Sequence, residues 1–185
     1  MTEPVVPPTY LTLEQNDYFL FTKEFTAEST GEAIRFILER NLALKKPKQI
    51  KMLINSFGGD LTASFALIDT MKGSLIPIHT YGLGLIASCG LFTFIAGEKG
   101  KRFITPNTSI MSHQFSWGSH GKEHELFSKI KEFDLTSKRI VEHFKRCTGL
   151  DEKQIREYLL PPEDRWLSAK EAVKLGLADE IVDFY

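Results

Sequence analysis

Ser88, His113 and Asp164 are the residues of this chain whose types could together perform nucleophilic catalysis. A serine hydroxyl becomes a nucleophile when an imidazole takes its proton, and a carboxylate orients that imidazole and stabilises its positive charge. Taken singly, each has an ordinary explanation: a buried serine bonded to backbone, a core histidine and a solvated aspartate. The chain order differs from those of the α/β-hydrolase, chymotrypsin and subtilisin triads. The three residues therefore suggest a serine triad built on another plan.

The segment around Ser88 predicts how a reactive serine would be presented. Residues 76–81 have the pattern of a strand, residues 82–84 that of a glycine turn, and residues 86–96 that of a buried helix. A helix N-terminus carries unpaired N–H groups and a partial positive charge, which stabilise a developing oxyanion. Ser88 is thus predicted to lie where the backbone can support acyl transfer.

The other two candidates lie beside further predicted elements. His113 is near the end of a predicted strand at 109–114, where a histidine can face a cleft. Asp164 lies in a proline-containing turn before a helix that Ser168 would cap. Together with the serine they could form one site if the fold brings these positions together.

Two further motifs point to other chemistry and are disfavoured. The glycines at 82–84 follow a strand as in a dinucleotide-binding fingerprint, but the third glycine and the expected downstream acidic residue are missing. The string H-x-x-E-H at 120–124 is that of one zinc peptidase class, which requires both histidines on one helical face. Gly121 weakens a helix there. We therefore expect solvated histidines and no metal site.

Alternating strand-like and helix-like segments predict an α/β domain with mostly parallel strands and right-handed crossovers. Apolar residues at helical spacings predict one long helix over about 122–147, ended by Gly149. This helix is longer than a core of this size requires. We expect an adaptable arm at 1–17, which contains three prolines, and a single domain at 18–185.

The composition excludes several classes of protein. The chain has 185 residues, of which 42% are hydrophobic and 25% charged, enough apolar surface for the core of one domain. A net charge of −1 without a long basic block argues against nucleic acid or an anionic membrane as partner. The longest apolar stretch, 83–95, is too short and interrupted to span a bilayer, and the first residues lack signal-peptide features. Two cysteines give no disulfide framework, so we expect a cytoplasmic protein.

At this level of detail the sequence resembles the Clp protease proteolytic subunit family, which consists of self-compartmentalising serine peptidases of the crotonase-like superfamily. The resemblance implies an α/β fold of repeated strand–strand–helix units, with the long predicted helix as a protruding handle. Several adjacent motifs at matching separations are more specific than any one of them. The matching residues are Ile54-Asn55-Ser56-x-Gly58-Gly59, Ala87-Ser88-x-Gly90, Ala96-Gly97-x-Lys99-Gly100-Lys101-Arg102, Pro106-Asn107, His113-Gln114, Thr148-Gly149, Asp164-Arg165-x-Leu167-Ser168-Ala169-x-Glu171-Ala172-Val173 and Gly176-Leu177.

The resemblance assigns a role to each candidate. It makes Ser88 the nucleophile, His113 the general base and then acid, and Asp164 the group that orients the imidazole. It places the oxyanion hole at the backbone N–H groups of Gly59 and Cys89. It implies a serine endopeptidase that hydrolyses unfolded polypeptides to short peptides through an acyl-enzyme, with no cofactor or metal of its own.

In the family, the segment after the histidine pairs with an extended substrate chain. Strand addition of this kind recognises backbone more than side chains, so broad specificity is implied. The residues expected to contact substrate are Gly58, Asp60, Leu61, Phe115, Ser116, Trp117 and Gly118.

The family resemblance also implies an assembly. The handle helix interlocks two stacked heptameric rings into a tetradecamer, and an AAA+ unfoldase partner hydrolyses ATP, because this chain has no phosphate-binding loop. Three alternatives remain open: a stand-alone Clp-like peptidase, such as a phage head-maturation protease; a non-catalytic ring subunit; and a crotonase-type acyl-CoA enzyme without a serine triad.

The chain departs from the family pattern at several positions. Phe57 and Phe115 stand where the family usually has proline, and Cys89 stands where it has methionine. The Cys89 thiol raises a Cys–His alternative, although its side chain is expected to point away from the cleft. Glu163 replaces an arginine that takes part in contacts between rings. Because only about seventeen residues precede the first strand, we also expect a shortened axial region.

Overall fold

A computed structural model describes residues 12–183 of the 185-residue chain. Most of the predicted arm lies outside this range, and within it residues Glu14–Asn16 form one 3₁₀ turn. The strands of the described range are β1 Tyr18–Phe21, β2 Ile50–Ser56, β3 Ile78–Ala87, β4 Arg102–Ile104, β5 Ser109–Ser112, β6 Arg165–Leu167 and β7 Glu180–Ile181. Its α-helices are α1 Ala27–Leu42, α2 Leu61–Gly73, α3 Cys89–Ile95, α4 Glu123–Thr148, α5 Glu152–Tyr158 and α6 Ala169–Lys174.

The strands form one mixed sheet with the order β1-β2-β3-β4-β7, and β5 joins it by pairing with β3 and with β6. Every pair is parallel except β5 with β6. Strand β2, which lies between β1 and β3, buries Ile50, Met52 and Ile54 completely on one face, and Leu53 is buried on the other. Such a near-continuous apolar run is typical of a parallel strand covered on both faces. The predicted α/β architecture is therefore the observed one.

The largest departure from the predicted elements is β3, which continues through the glycines at 82–84 instead of turning there. Gly84 has a φ of 62°, and a Cβ built on it would lie 3.2 Å from Asn55 Oδ1 of the neighbouring strand. A glycine inside a strand often marks such a close approach. The predicted turn is therefore wrong, and the helix that follows begins at Cys89 rather than near residue 86.

The long helix α4 spans Glu123–Thr148, within one residue of the predicted bounds at each end. Gly149 ends it in the left-handed conformation with a φ of 81°. Its buried residues all lie in its second half, between Thr136 and Phe144. The first half therefore extends beyond the core, as expected of a protruding handle. Within residues 12–183, no helix is long and apolar enough to cross a membrane.

Candidate active site

Ser88 lies at the sharp junction between β3 and α3. Its φ of 52° and ψ of −120° fall outside the regions that residues with a side chain normally adopt. The neighbouring structure holds this conformation: Ser88 N–H donates to Met111 O at 3.0 Å, and Phe92 N–H donates to Ser88 O at 3.1 Å. Gly58 packs so closely that a Cβ on it would lie 2.7 Å from Ser88 Cβ. The strained turn leaves Ser88 half-buried, in the lining of a cavity.

The imidazole of His113 lies beside that hydroxyl. Its Nε2 atom is 2.9 Å from Ser88 Oγ, a hydrogen-bond distance. The parallel pairing of β3 with β5 explains the proximity, because Ala87 is in register with Met111, and Ser88 and His113 follow this pair by one and two residues. The His113 side chain is 27% exposed, which leaves it accessible from the cleft.

The carboxylate of Asp164 lies on the far side of the imidazole. In the antiparallel pair of β5 and β6, Ser112 is in register with Arg165, and the next step of the register brings His113 opposite Asp164. The distance from His113 Nδ1 to Asp164 Oδ1 is 3.7 Å, within ion-pair range but longer than a hydrogen bond. Catalytic hydrogen bonds are often long without substrate and tighten when it binds. The three residues therefore lie in the order that a serine triad requires.

The backbone N–H of Cys89 is a suitable donor for an oxyanion. Cys89 is the first residue of α3, so its N–H has no acceptor within the helix. It follows Ser88 directly and therefore lies next to the point at which a bound carbonyl would be attacked.

A second donor is available at Gly59, which forms an isolated parallel bridge with Phe25. The bridge uses the flanking peptide groups: Phe25 N–H donates to Gly58 O at 2.8 Å, and Asp60 N–H donates to Phe25 O at 2.7 Å. Gly59's own polar groups face the opposite edge, where its carbonyl accepts from Cys89 Sγ at 3.2 Å. Gly59 therefore lies beside the start of α3, where the family resemblance expects its N–H to donate.

The Cys89 thiol is not an activated nucleophile. Its side chain is 2% exposed, and burial raises the pKa of the thiol to about 11. Reactive cysteines instead have a lowered pKa and an exposed thiolate. The thiol is therefore protonated at neutral pH and held against Gly59 O, which removes the physical basis for a Cys–His pair.

A cavity of about 610 Å³ opens directly beside Ser88 and His113. Five of the seven predicted substrate contacts line it, whereas Gly58 and Gly118 do not. The five are Asp60, Leu61, Phe115, Ser116 and Trp117. The segment after the histidine is also fixed to α4, because the Phe115 and Trp117 rings lie 5.0 Å and 5.3 Å from the Phe133 ring.

The far wall of the cavity contains residues that sequence reasoning missed. Thr136 Oγ1 donates to Glu132 Oε1 at 2.6 Å and accepts from Arg139 Nη2 at 3.2 Å, and Ile140 lies beside them. All four come from α4, for which the sequence predicts only a role as a handle. Their spacing places them on one face of that helix, and this periodicity is the signal that could have identified them.

The H-x-x-E-H string does not form a metal site. Helix α4 begins at Glu123 and Gly121 has a φ of 154°, so His120 lies outside the helix. Among residues 12–183, no group of three or more His, Cys, Asp or Glu side chains is arranged to hold a metal ion.

Comparisons with known proteins identify the family of this chain. The sequence model of the Clp protease family matches residues 9–184. Over 136 residues the chain is 38% identical to the ATP-dependent Clp protease proteolytic subunit 2 of Corynebacterium diphtheriae, covering 74% of this chain and 67% of the relative. It is 39% identical over 135 residues to subunit 2 of Corynebacterium glutamicum, covering 73% and 66%. It is also 38% identical over 135 residues to subunit 1 of Corynebacterium jeikeium, covering 73% and 71%. The chain thus aligns with about two thirds of each relative's length.

The fold and site define an α/β hydrolytic domain that presents a serine beside a histidine at a strand-to-helix junction. The chain belongs to the Clp protease family, whose proteolytic subunits are serine peptidases. The family and the crotonase-like fold expected from the sequence motifs are therefore confirmed.

Proposed function

We propose that Ser88, His113 and Asp164 hydrolyse peptide bonds through an acyl-enzyme, which makes this chain the proteolytic subunit of a Clp-type protease. The observation that carries the proposal is the 2.9 Å distance between Ser88 Oγ and His113 Nε2. A nucleophile and its base at hydrogen-bond distance, with a carboxylate beyond the base, is the arrangement that activates a serine.

In the first half of the reaction, Ser88 Oγ attacks the substrate carbonyl carbon while His113 Nε2 takes the hydroxyl proton. The resulting imidazolium is stabilised by the Asp164 carboxylate beyond Nδ1. Nε2 then returns the proton to the leaving amine as the peptide bond breaks. The products of this half are a free amine and an ester between Ser88 and the acyl group.

In the second half, a water molecule replaces the amine. Nε2 takes a proton from this water as its oxygen attacks the ester carbonyl. The proton is then transferred to Ser88 Oγ, and a carboxylic acid leaves. In both halves, negative charge develops on the carbonyl oxygen, where the N–H groups of Cys89 and Gly59 would donate. One such donor typically contributes about 10²–10³ in rate.

The cavity beside the serine supports binding of an extended polypeptide. The segment Phe115–Gly118 would pair with substrate backbone, and Gly58, Asp60 and Leu61 would contact the chain from the other side. Aromatic rings dominate the adjoining walls: Phe57, Phe65, Phe92, Phe115 and Trp117 all line the cavity. Such a lining favours a large apolar side chain next to the cleaved bond.

Exposed apolar side chains on α4 support assembly into stacked heptameric rings. The projecting half of α4 leaves Phe127 and Ile130 exposed by 65% and 49%, and these side chains lie one turn apart. Exposed apolar side chains on a projecting helix favour contact with another subunit.

The relatives are named ATP-dependent, so we assign ATP hydrolysis to a partner unfoldase of the AAA+ class. The free cysteines Cys89 and Cys147 fit a reducing cytoplasm.

We also propose that residues 18–185 form one catalytic domain and that residues 1–17 act as its axial arm. The main-chain contacts of the described range support this division. The first strand pairs with β2 from Tyr18 onward, and the last strand, β7, pairs with β4 of the same sheet.

The test is hydrolysis of a short fluorogenic peptide by the wild-type protein and by Ser88→Ala, with the oligomer size measured on the same samples. We expect activity that Ser88→Ala lowers by at least about 10³-fold without changing the oligomer. Thioester hydrolysis that survives Ser88→Ala would instead indicate an acyl-CoA enzyme. An inactive but correctly assembled wild type would indicate a non-catalytic subunit.

A second assay separates the two peptidase hypotheses. Degradation of an unfolded protein is compared with and without an AAA+ unfoldase and ATP. Stimulation by the unfoldase supports the proposal, whereas equal rates favour a stand-alone peptidase.

A further inference from the structure

Ser112 and Gln114, the two neighbours of the triad histidine, donate hydrogen bonds to one short segment. Ser112 Oγ donates to Leu159 O at 2.5 Å, and Gln114 Nε2 donates to Leu160 O at 3.0 Å. Successive side chains of an extended chain point to opposite sides, so both neighbours face away from the serine while the histidine faces it. The Ser112 residue is only 1% exposed. Two buried or half-buried contacts thus hold the backbone on either side of the imidazole.

The acceptors are the first two carbonyl groups after helix α5, those of its C-cap residue Leu159 and of Leu160. Leu159 and Leu160 both donate their N–H to Ile155 O at 2.9 Å, so the helix ends at this point and the carbonyls that follow have no intrahelical donor. The two side chains supply the missing donors. Only residues 161–163 then separate Leu160 from Asp164, and two of these are prolines with a fixed φ. A short, stiff segment therefore connects the end of α5 to Asp164.

The position of the Asp164 side chain is otherwise weakly constrained. Its side chain is 59% exposed, so packing does not fix it. The three-residue strand β6 reaches only to Arg165, one residue beyond it. The pairing of Arg165 with Ser112 holds the chain on the C-terminal side of Asp164, so the remaining freedom of the carboxylate depends on what holds the chain on its N-terminal side.

We propose that Ser112 and Gln114 are positioning residues that set the separation of His113 and Asp164 by clamping the histidine strand to the end of α5. The inference rests on the proposed triad and adds two residues that act through it. Neither side chain touches the reacting atoms. Their loss is expected to widen or vary the 3.7 Å gap between Nδ1 and Oδ1. A misplacement of about 1 Å can lower a rate by about 10²-fold.

The experiment compares Ser112→Ala and Gln114→Met with the matched variant Thr80→Val. Thr80 is fully buried, and its Oγ1 donates to Phe94 O at 2.8 Å near the end of α3, so this variant removes the same kind of contact away from the triad. We expect kcat on a fluorogenic peptide to fall about 10–100-fold in the first two variants, with KM within about twofold. Thr80→Val is expected to lower Tm by a similar amount and to leave kcat within about twofold. The rate at which a phosphonate labels Ser88 should follow kcat.

Two further measurements separate positioning from simple destabilisation. Ser112→Thr keeps the hydroxyl and should retain kcat within about threefold. Wild-type kcat in Ser112→Ala and Gln114→Met would overturn the inference, and so would an equal loss in Thr80→Val. If Ser88→Ala kept the peptidase activity, the proposed triad itself would fail. Dependence on Ser88 with no effect of the clamp variants would leave the triad standing and reject only the clamp.

Discussion

His143 Nε2 donates a hydrogen bond to the carbonyl oxygen of Phe92 at 2.8 Å, and the two rings stack with their centroids 5.4 Å apart. The histidine is 1% exposed, and burial lowers its pKa to about 4. It is therefore neutral at neutral pH, and its Nδ1 accepts from Lys72 Nζ at 3.3 Å. The hydrogen bond from His143 to Phe92 O connects α4 to α3, the helix that begins with the proposed oxyanion donor.

The buried histidine predicts a loss of stability in mild acid. Below pH 6.5 the unfolded chain binds a proton at His143, whereas the folded chain does not until the pH approaches about 4. The contribution of neutral His143 to the free energy of unfolding is complete above pH 6.5. It falls progressively toward pH 4, by about 3 kcal/mol in total. The measurement is the free energy of urea unfolding at pH 7 and pH 4.5. His143→Gln, which keeps a donor for Phe92 O but does not titrate, should lose less than the wild type. Equal losses would show that other groups carry the pH dependence.

The contact between Gly58 and Ser88 makes a second prediction. In Gly58→Ala the new Cβ would lie 2.7 Å from Ser88 Cβ, at a residue whose φ is 112°. The serine turn must move, so kcat should fall by at least about 10²-fold. The matched control is Gly100→Ala, because Gly100 has a φ of 84° but no atom within 4 Å of the added Cβ. We expect this control to lose about 1–2 kcal/mol of stability from backbone strain and to keep its kcat. Similar kcat values in the two variants would contradict the steric explanation.

The contact between Gly58 and Ser88 could not be predicted from the local sequence. Gly58 and Ser88 lie in different strand-to-helix junctions, and their contact arises only because β2 and β3 are neighbours. The glycines at 82–84 suggested a turn, since glycine is the commonest turn signal, but tertiary packing against Asn55 kept them in a strand. A three-residue strand such as β6 has too little pattern to be recognised.

Other features were accessible from local chemistry. The apolar run of β2 and the periodicity of α4 each span enough residues to give a clear signal. The residues of the proposed triad could be selected by type, but the distance between Ser88 and His113 depends on the pairing of β5 with β3, although β4 lies between them in the chain. That pairing depends on the whole sheet and cannot be recognised in the local sequence around either residue.

Thiol chemistry provides a third prediction. Burial raises the pKa of Cys89 to about 11 and also raises the pKa of Cys147. At pH 8 only about 0.1% of the Cys89 thiol is ionised, and the thiolate is the species that reacts. Iodoacetamide should therefore leave the native peptidase activity intact, whereas a phosphonate that targets serine should abolish it. Mass spectrometry should find two carbamidomethyl groups only after unfolding in urea. Rapid loss of activity with iodoacetamide would restore the Cys–His hypothesis.

The projecting half of α4 supports a fourth prediction, on assembly. Phe127 and Ile130 are 65% and 49% exposed, which is unfavourable in water unless another subunit covers them. In the double variant Phe127→Ser, Ile130→Ser we expect the proposed stacked rings to separate into single rings. The matched control is Leu44→Ser, because Leu44 is a fully exposed leucine in the loop between α1 and β2, away from α4. Sedimentation velocity should show the change of mass in the α4 variant alone, and the free energy of unfolding of the separated rings should stay close to that of the control. An unchanged mass in the α4 variant would mean that the handle does not join the rings, and equal dissociation in both would point to a general effect of removing exposed apolar surface.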